Sequence, residues 1–535
     1  MDDEQYKVFL EEMNALEDFR MAYAVDHPSI PLERDDPDVK RLIEAMAFFN
    51  ARTHMAGAKN ITSLRLRLYQ QFFPFLLSPL PAMGLVQITP TGQFTESVSI
   101  PTGSEIAISP ESGGSAIFRT LSDLTIIPLS IYRTGMLMPV GRGYRWLLYL
   151  RTPYARSDEI GGLSFHINHL FDYLSSLKLL HALKHHMTGT AVIFDENVTE
   201  TTHGAPCDIS FGLMENKKTS NELFHPIEKE RSFFHFPSQE LFLNIHIPST
   251  PRNWRQLTII MDLDSKWPQN LRLNQNMFQL FTVPVENLKQ EMSQPDIFDG
   301  TDDRMPIRHG DPTKGFELHS IQGVYKVEQN AMVPMKPGII SSKGGTYEIE
   351  QLKVENKRRH WLNLHFPEAF LHPRTICIDA LWHQPWFSLA MPQRMKVIPF
   401  TLNVPGLKWE VLGEFVRCAD VKMHEKMDMF LHLLAQSKVF MLNIDDLRSL
   451  LLATGAIEVG SFKQVFQLLK DVRVEEAPFQ ERKTGHLWKH VYHLRMSEFD
   501  RGIQPLVDTF VEHVEKILNV WISLTAIEVR LETDG

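Results

Sequence analysis

The spacing of apolar residues changes character twice along this chain, and that constrains the fold more than any single motif. Through the first 80 residues the spacing is helical. Tyr6, Phe9, Leu10, Met13, Leu16 and Tyr23 recur near the helical period until His27-Pro28 and Ile30-Pro31 interrupt them, because a residue before proline avoids the α region. Asp36 and Pro37 supply a cap and a first turn for a second helix, which places Val39, Leu42, Ile43, Met46 and Phe49 on one face. Gly57 reads as its stop. A third helix with Ile61, Leu64, Leu68 and Phe72 then runs into Pro74, Pro79 and Pro81.

From Met83 the texture becomes short apolar segments punctuated by proline and glycine, as in Val98–Ile100 before Pro101-Thr102-Gly103, and in Trp146–Leu150. Such a pattern predicts a β-rich region. A helical interruption is expected at about 165–185, where Phe165, Leu170, Leu174, Leu177 and Leu180 fit helical spacing. The polar stretch 289–315 reads as a boundary or a long surface loop, and a second β-rich region follows to about 420. After 421 helical spacing returns. Met427, Phe430, Leu431 and Leu434 form one stripe, and Asp445 caps a helix with Leu447, Leu450 and Leu451. Ser461 caps another, and Asp500 precedes an amphipathic helix with Ile503, Leu506, Phe510, Val514 and Ile517. Trp488–Met496 reads as a strand, and Ile527, Val529 and Leu531 alternate with charges as a half-buried strand does. The expected class is α+β multidomain: a helical region at 1–82, a β-rich domain with a helical insertion at 83–288, a second β-rich domain at 289–420, and a mixed helix/strand domain at 421–535.

The 535 residues are 43% hydrophobic and 22% charged, which suits a globular chain with a large core. The net charge of −10 argues against a nucleic-acid coat. Residues 1–38 carry 12 acids against 3 bases, so they hold −9 of that charge. Lys357-Arg358-Arg359-His360 is the densest basic cluster and reads as a strand edge or a salt-bridging patch. The three cysteines, Cys207, Cys377 and Cys418, are far apart, which fits a reducing compartment and excludes a CxxC zinc knuckle. No apolar run approaches the length of a membrane span, and the acidic MDDEQ opening does not read as a signal peptide. A cytoplasmic protein is expected.

Catalytic signals are weak. The glycine pairs lack the phosphate-loop and dinucleotide frames. His424-Glu425 opens like a zincin, but the next histidine is His432, and two turns of helix separate such ligands by about 12 Å, too far for one ion. His181 and His185 would share a helix face beside His186. Gly162-Leu163-Ser164-Phe165-His166 lacks the second glycine of a nucleophile elbow. The expectation is a protein that is not an enzyme and has no catalytic, cofactor or metal site. A His-dependent metal hydrolase built on His424, Glu425 or His181 is the less favoured alternative.

The segment 35–53, DDPDVKRLIEAMAFFNART, resembles the signature of the TssF (VasA/ImpG) family, a baseplate wedge component of the bacterial type VI secretion system. Asp36, Pro37, Val39, Arg41, Leu42, Glu44, Ala47, Phe48, Ala51 and Arg52 agree with the family pattern, while Lys40 and Met46 replace its usual Glu and Phe. In order, 6–30, 69–88, SIPTGSEI (99–106), FRT (118–120), FTVPVENL (281–288) and HSIQGVYKV (319–327) are similar to further family elements. The stretch 430–500 departs from it. The resemblance implies a structural subunit that pairs with a second TssF copy and a TssG-like wedge partner, with TssK and TssE attached. Such wedges would surround the VgrG spike hub below the contractile sheath, at the cytoplasmic face of the inner membrane, without inserting into it and without nucleic acid. A wedge protein of another contractile injection system or phage tail is the alternative. The partner-interface candidates are the Val39, Leu42, Ile43, Met46, Phe49 face and the Ile503, Phe510, Val514, Ile517 face.

Overall fold

The N-terminal helical signals resolve into two long helices rather than three. The computed structural model describes all residues except 1–2, 28–36, 140–142, 215–224, 303, 329–330, 339–344, 355–356, 368–371, 392–393, 401–403, 421–431, 434, 437–440, 456, 458–459, 479–487, 523–524 and 534–535. Helix α1 spans Asp3–Asp26, α2 spans Pro37–Phe72, and a single turn, α3, follows at Pro74–Leu77. Gly57 does not end α2. A single interior glycine costs a helix only about 1 kcal/mol, and the alanines and lysine around it restore helical preference. The result is one rod of 36 residues, about 54 Å long. The expected caps at Asp36 and the stripe from Met427 lie wholly or largely outside the described residues.

The chain divides into two compact units, 1–74 with 348–361, and 75–347 with 362–535. The division crosses the Thr346–Val354 and Lys357–His365 strands, so the basic cluster belongs with the helical unit.

The larger unit is built on β-sheets. A six-stranded sheet runs in the order Met395–Pro399, Glu105–Pro110, Ala116–Thr120, Thr282–Glu286, Met83–Pro90, Leu407–Val416. Its two flanking strands come from the expected second β-rich domain, so the sheets do not follow a boundary at 289. Two further sheets meet through aromatic side chains. One is five-stranded, Ala205–Pro206, Met187–Phe194, Trp254–Leu263, Tyr144–Arg156, Ser130–Leu137. The other is four-stranded and includes Gly162–Ile167 and Phe278–Leu280. Their core joins Trp146 of the first to Phe278 of the second, with ring centroids 4.7 Å apart. Phe165 lies in a strand here, not in the expected helix. That helix, α4 (Tyr173–His186), begins only where Asp172 caps it by accepting from the Ser175 N–H at 2.8 Å.

A buried amide relay ties the second β-rich stretch to the six-stranded sheet. Asn287 Nδ2 donates to Ile117 O, Gln384 N donates to Asn287 Oδ1, and Ile117 N donates to Gln384 Oε1, each at 2.7 Å. Gln384 Nε2 reaches Lys314 O at 2.8 Å. Each side-chain amide both donates and accepts, with partners from segments distant in sequence, which makes the relay a determinant of their registration.

The C-terminal region is mixed, as expected. Leu469–Pro478, Trp488–Met496 and Ala526–Thr533 form a three-stranded sheet whose last pair is parallel, with the Gln504–Trp521 helix as the crossover. The Ile444–Ala453 helix is capped by Asn443, two residues before the expected Asp445, through a reciprocal box with Asp446.

Candidate functional site

The first partner-face candidate lies on α2. Helices α1 and α2 pack as a hairpin, with Asn50 of α2 donating to Glu12 of α1 at 3.5 Å, each roughly four turns from the connection. Ala47 and Ala51 are buried, at 0% and 5% exposure. They fall on the side of α2 opposite Leu42, Met46 and Phe49, given about 100° per residue. The expected stripe is thus turned outward: Leu42, Met46 and Phe49 are 61%, 47% and 66% exposed. Val39 and Ile43 are half-buried. Small residues let two helices approach closely, while the bulky ones remain on the outside. Phe19, Val25, Phe48, Ile61, Leu64 and Phe72 add to the exposed apolar surface of the hairpin. The alanines at a four-residue interval were visible in the sequence as the signal for the inward side, and the apolar stripe drew attention away from them.

The second candidate face is placed otherwise. Phe510, Val514 and Ile517 are fully buried, and only Ile503 is partly exposed. They pack inside the chain: Phe510 meets Phe234 and Phe462 at centroid distances of 6.1 and 6.3 Å. This corrects the expectation. An amphipathic helix with one strong stripe closes on its own core when a sheet and a second helix supply the other wall.

That second helix, α5 (Pro226–His235), carries the densest buried polar chemistry. Its Arg231 is buried and donates to the carbonyls of Phe75, Ser78 (2.9 Å) and Thr454 (3.0 Å), and to Ser78 Oγ (3.1 Å). Burial in the core lowers its guanidinium to about 10, against the opposing pull of Glu228. The same burial raises the Glu228 carboxyl to about 7. His235 Nε2 donates to Pro81 O at 2.8 Å, and desolvation holds its ring at about 4, hence neutral. The His225 ring stacks on Phe75 at 3.7 Å. One helix therefore grips the segment 75–81 by its carbonyls. From its other side Glu230 meets His513 at 2.6 Å.

Beside α5 opens a cavity of about 880 Å³ lined by His166, Phe171, Asp172, Tyr173, His235 and Arg417 among others. His166 spends Nε2 on Ser238 O at 3.0 Å and is held at about 4 by desolvation. Among the described residues, the hydrogen bonds of both cavity histidines go to main-chain carbonyls and not to a hydroxyl or thiol. At its rim Leu170 and Phe171 take positive φ, 56° and 53°, with side chains 74% and 81% exposed.

The histidines weighed as ligands are spent singly. His181 Nε2 faces Asp508 at 3.2 Å, and burial together with the stacked His185 lowers its pKa. His186 pairs with Asp264 at 3.0 Å. His424 and Glu425 lie outside the described residues. Among the described residues no group of three or more His, Cys, Asp or Glu side chains is placed to hold a metal, and no helix is long and apolar enough to cross a membrane.

The described residues thus define an α+β protein of several β-sheets, with a helical hairpin whose bulky apolar side chains face away from its own alanine seam. The sequence matches the model of the type VI secretion system TssF family over residues 1–348, and the chain belongs to that family. Its fold is similar to a chain in the TssK-TssF-TssG baseplate subcomplex of a type VI secretion system, at TM-score 0.70 and 15% identity, covering 92% of this chain and 96% of that one. It is also similar to a chain of a type VI baseplate complex, at TM-score 0.55 and 15% identity, covering 99% and 96%. The comparison with curated proteins finds no match.

Proposed function

We propose that this chain is a structural baseplate subunit of a bacterial type VI secretion system, working by assembly and not by catalysis. The observation that carries the reading is the outward stripe Leu42, Met46, Phe49 on a helix whose alanines face inward. Each of these side chains gains about 1–2 kcal/mol when a partner removes it from water. The interval of four and then three residues is a seam that suits helix-on-helix packing. Its occupants are a TssG-like wedge partner and a second copy of this chain. TssK and TssE join the same wedge, and the wedges surround the VgrG spike hub below the sheath, in the cytoplasm at the inner-membrane face. Family membership supports this, as does the likeness to chains from TssK-TssF-TssG assemblies.

Co-purification with the neighbouring gene product, followed by mass measurement of the complex, tests the proposal. Leu42→Asp places an unpaired charge in the seam and abolishes the complex while the isolated chain stays folded. Normal assembly of that variant would show the face to be wrong. A chain recovered as a monomer indifferent to the partner would defeat the whole reading.

A further inference from the structure

The Ser130–Leu137 strand ends the five-stranded sheet, and among the described residues no strand pairs with its far side. The Gln275–Met277 turn lies near it, but without strand pairing. An open edge of this kind offers main-chain donors and acceptors to an added strand. What distinguishes this edge is its outward face. Arg133 lies over the Tyr149 ring at 5.5 Å, Arg151 lies over the Tyr132 ring at 5.2 Å, and the two tyrosine rings are 6.1 Å apart. Both arginines are exposed, and among the described residues neither has a carboxylate within ion-pair distance. The strand itself, SIYRTGML, carries no acid. Two unneutralised cations thus sit at an open sheet edge of a chain whose net charge is −10.

We propose that this edge receives an extended acidic segment of a partner protein by strand addition. Main-chain hydrogen bonds to the 130–137 edge hold the segment. A carboxylate beside Arg133 sits within reach of the guanidinium, at the separation of cross-strand neighbours. The tyrosine rings beneath the two guanidinium groups restrain them at the edge, where each can take a two-pronged carboxylate bond. Gly135, two residues on, has no side chain, and a Cβ there would meet the Tyr149 ring at 3.5 Å. A large apolar residue of the incoming strand, two positions from its acid, covers this edge glycine and the ring beside it. Pairing of the edge with a second copy of itself is disfavoured, because it would bring like guanidinium charges together. The inference is independent of the baseplate reading, since it concerns a different surface and its test needs no wedge partner.

The test uses the full chain and a fluorescein-labelled nonapeptide of alternating glutamate with valine and tyrosine. A twin peptide with lysine in place of each glutamate serves as the contrast. The glutamate peptide binds and slows amide exchange within 131–137. Its affinity falls at least about tenfold in Arg133→Glu/Arg151→Glu, partially in Arg133→Gln/Arg151→Gln, and further as salt is raised. Both positions are exposed, so an unchanged thermal midpoint confirms that these variants remain folded. Equal binding of the two peptides, undiminished binding by the charge-reversal variant, protection confined to other segments, or no binding at millimolar peptide would each overturn the proposal. So would preferential binding of a single-stranded oligonucleotide of equal charge.

Discussion

Replacing Arg231 with methionine isolates the grip of α5 on the segment that opens the larger unit. The substitution keeps much of the side-chain length and removes every donor. Three main-chain carbonyls, of Phe75, Ser78 and Thr454, lose the bonds described above. At about 2 kcal/mol for each buried group left without this partner, the loss is about 6 kcal/mol. Against this stands the desolvation that draws Arg231 down to about 10, worth about 3 kcal/mol and recovered when the charge is gone. The net cost is about 3 kcal/mol. The reporter is the Leu80 amide, which donates to Ala419 O at 2.8 Å within the gripped segment. Hydrogen–deuterium exchange read by mass spectrometry should show the peptide around Leu80 opening roughly 10²-fold more often. Arg231→Lys retains charge without the fork and should fall between the two. Unchanged exchange at Leu80 in the methionine variant, or a lysine variant equal to the parent, would refute the reasoning.

Four further outcomes follow from the same geometry. His166 and His235, held near 4 against an ordinary 6.5, bind fewer protons folded than unfolded, so their contribution is complete above pH 6.5 and is lost as pH falls toward 4. Urea midpoints across that window should therefore drop with acid, and His235→Gln should flatten the slope. Glu228, raised to about 7, has the opposite sign: folding holds its proton between about 4.5 and 7, so stability falls as pH rises there, and Glu228→Gln should gain about 2 kcal/mol at pH 8. Asn287→Ala and Gln384→Ala should each cost about 2–3 kcal/mol in chemical denaturation, and the double variant should cost less than the sum because both break one relay. On the helical hairpin, Met46→Ser should leave thermal stability within about 0.5 kcal/mol yet weaken co-purification, whereas Ala47→Leu should cost about 1–3 kcal/mol by wedging α1 from α2.

The sequence made the texture of this fold legible and left its closures hidden. Helical spacing located α1, α2 and the Gln504–Trp521 helix, and alternation located the Ala526–Thr533 strand. Gly57 misled because its local cost is small beside the helical preference of its neighbours. Phe165 misled because, over so short a window, an apolar residue just ahead of a helical stripe fits a buried strand as well as a helix. Both partner-face candidates carry an apolar stripe, the stronger one on the Gln504–Trp521 helix, and periodicity states only that a stripe must be covered. Phe510 and Val514 are covered by α5 and its neighbours, brought there by contacts across more than 200 residues. Leu42 and Phe49 face away from α1 because Ala47 and Ala51 occupy the inner side. Arg231 gave no signal at all, since a lone arginine on a short helix is ordinary until its three carbonyl partners are assembled around it.

The strand Met83–Pro90 lies between Thr282–Glu286 and Leu407–Val416, both far downstream. On a ribosome it emerges with neither neighbour yet made. At roughly 5–20 residues per second, tens of seconds pass before position 416 is synthesised. During that interval the oily strand must be shielded by transient collapse or by a chaperone, while helices α1 and α2 find each other locally as soon as both have emerged. Those helices are therefore present on the nascent chain well before the sheet neighbours of Met83–Pro90 exist.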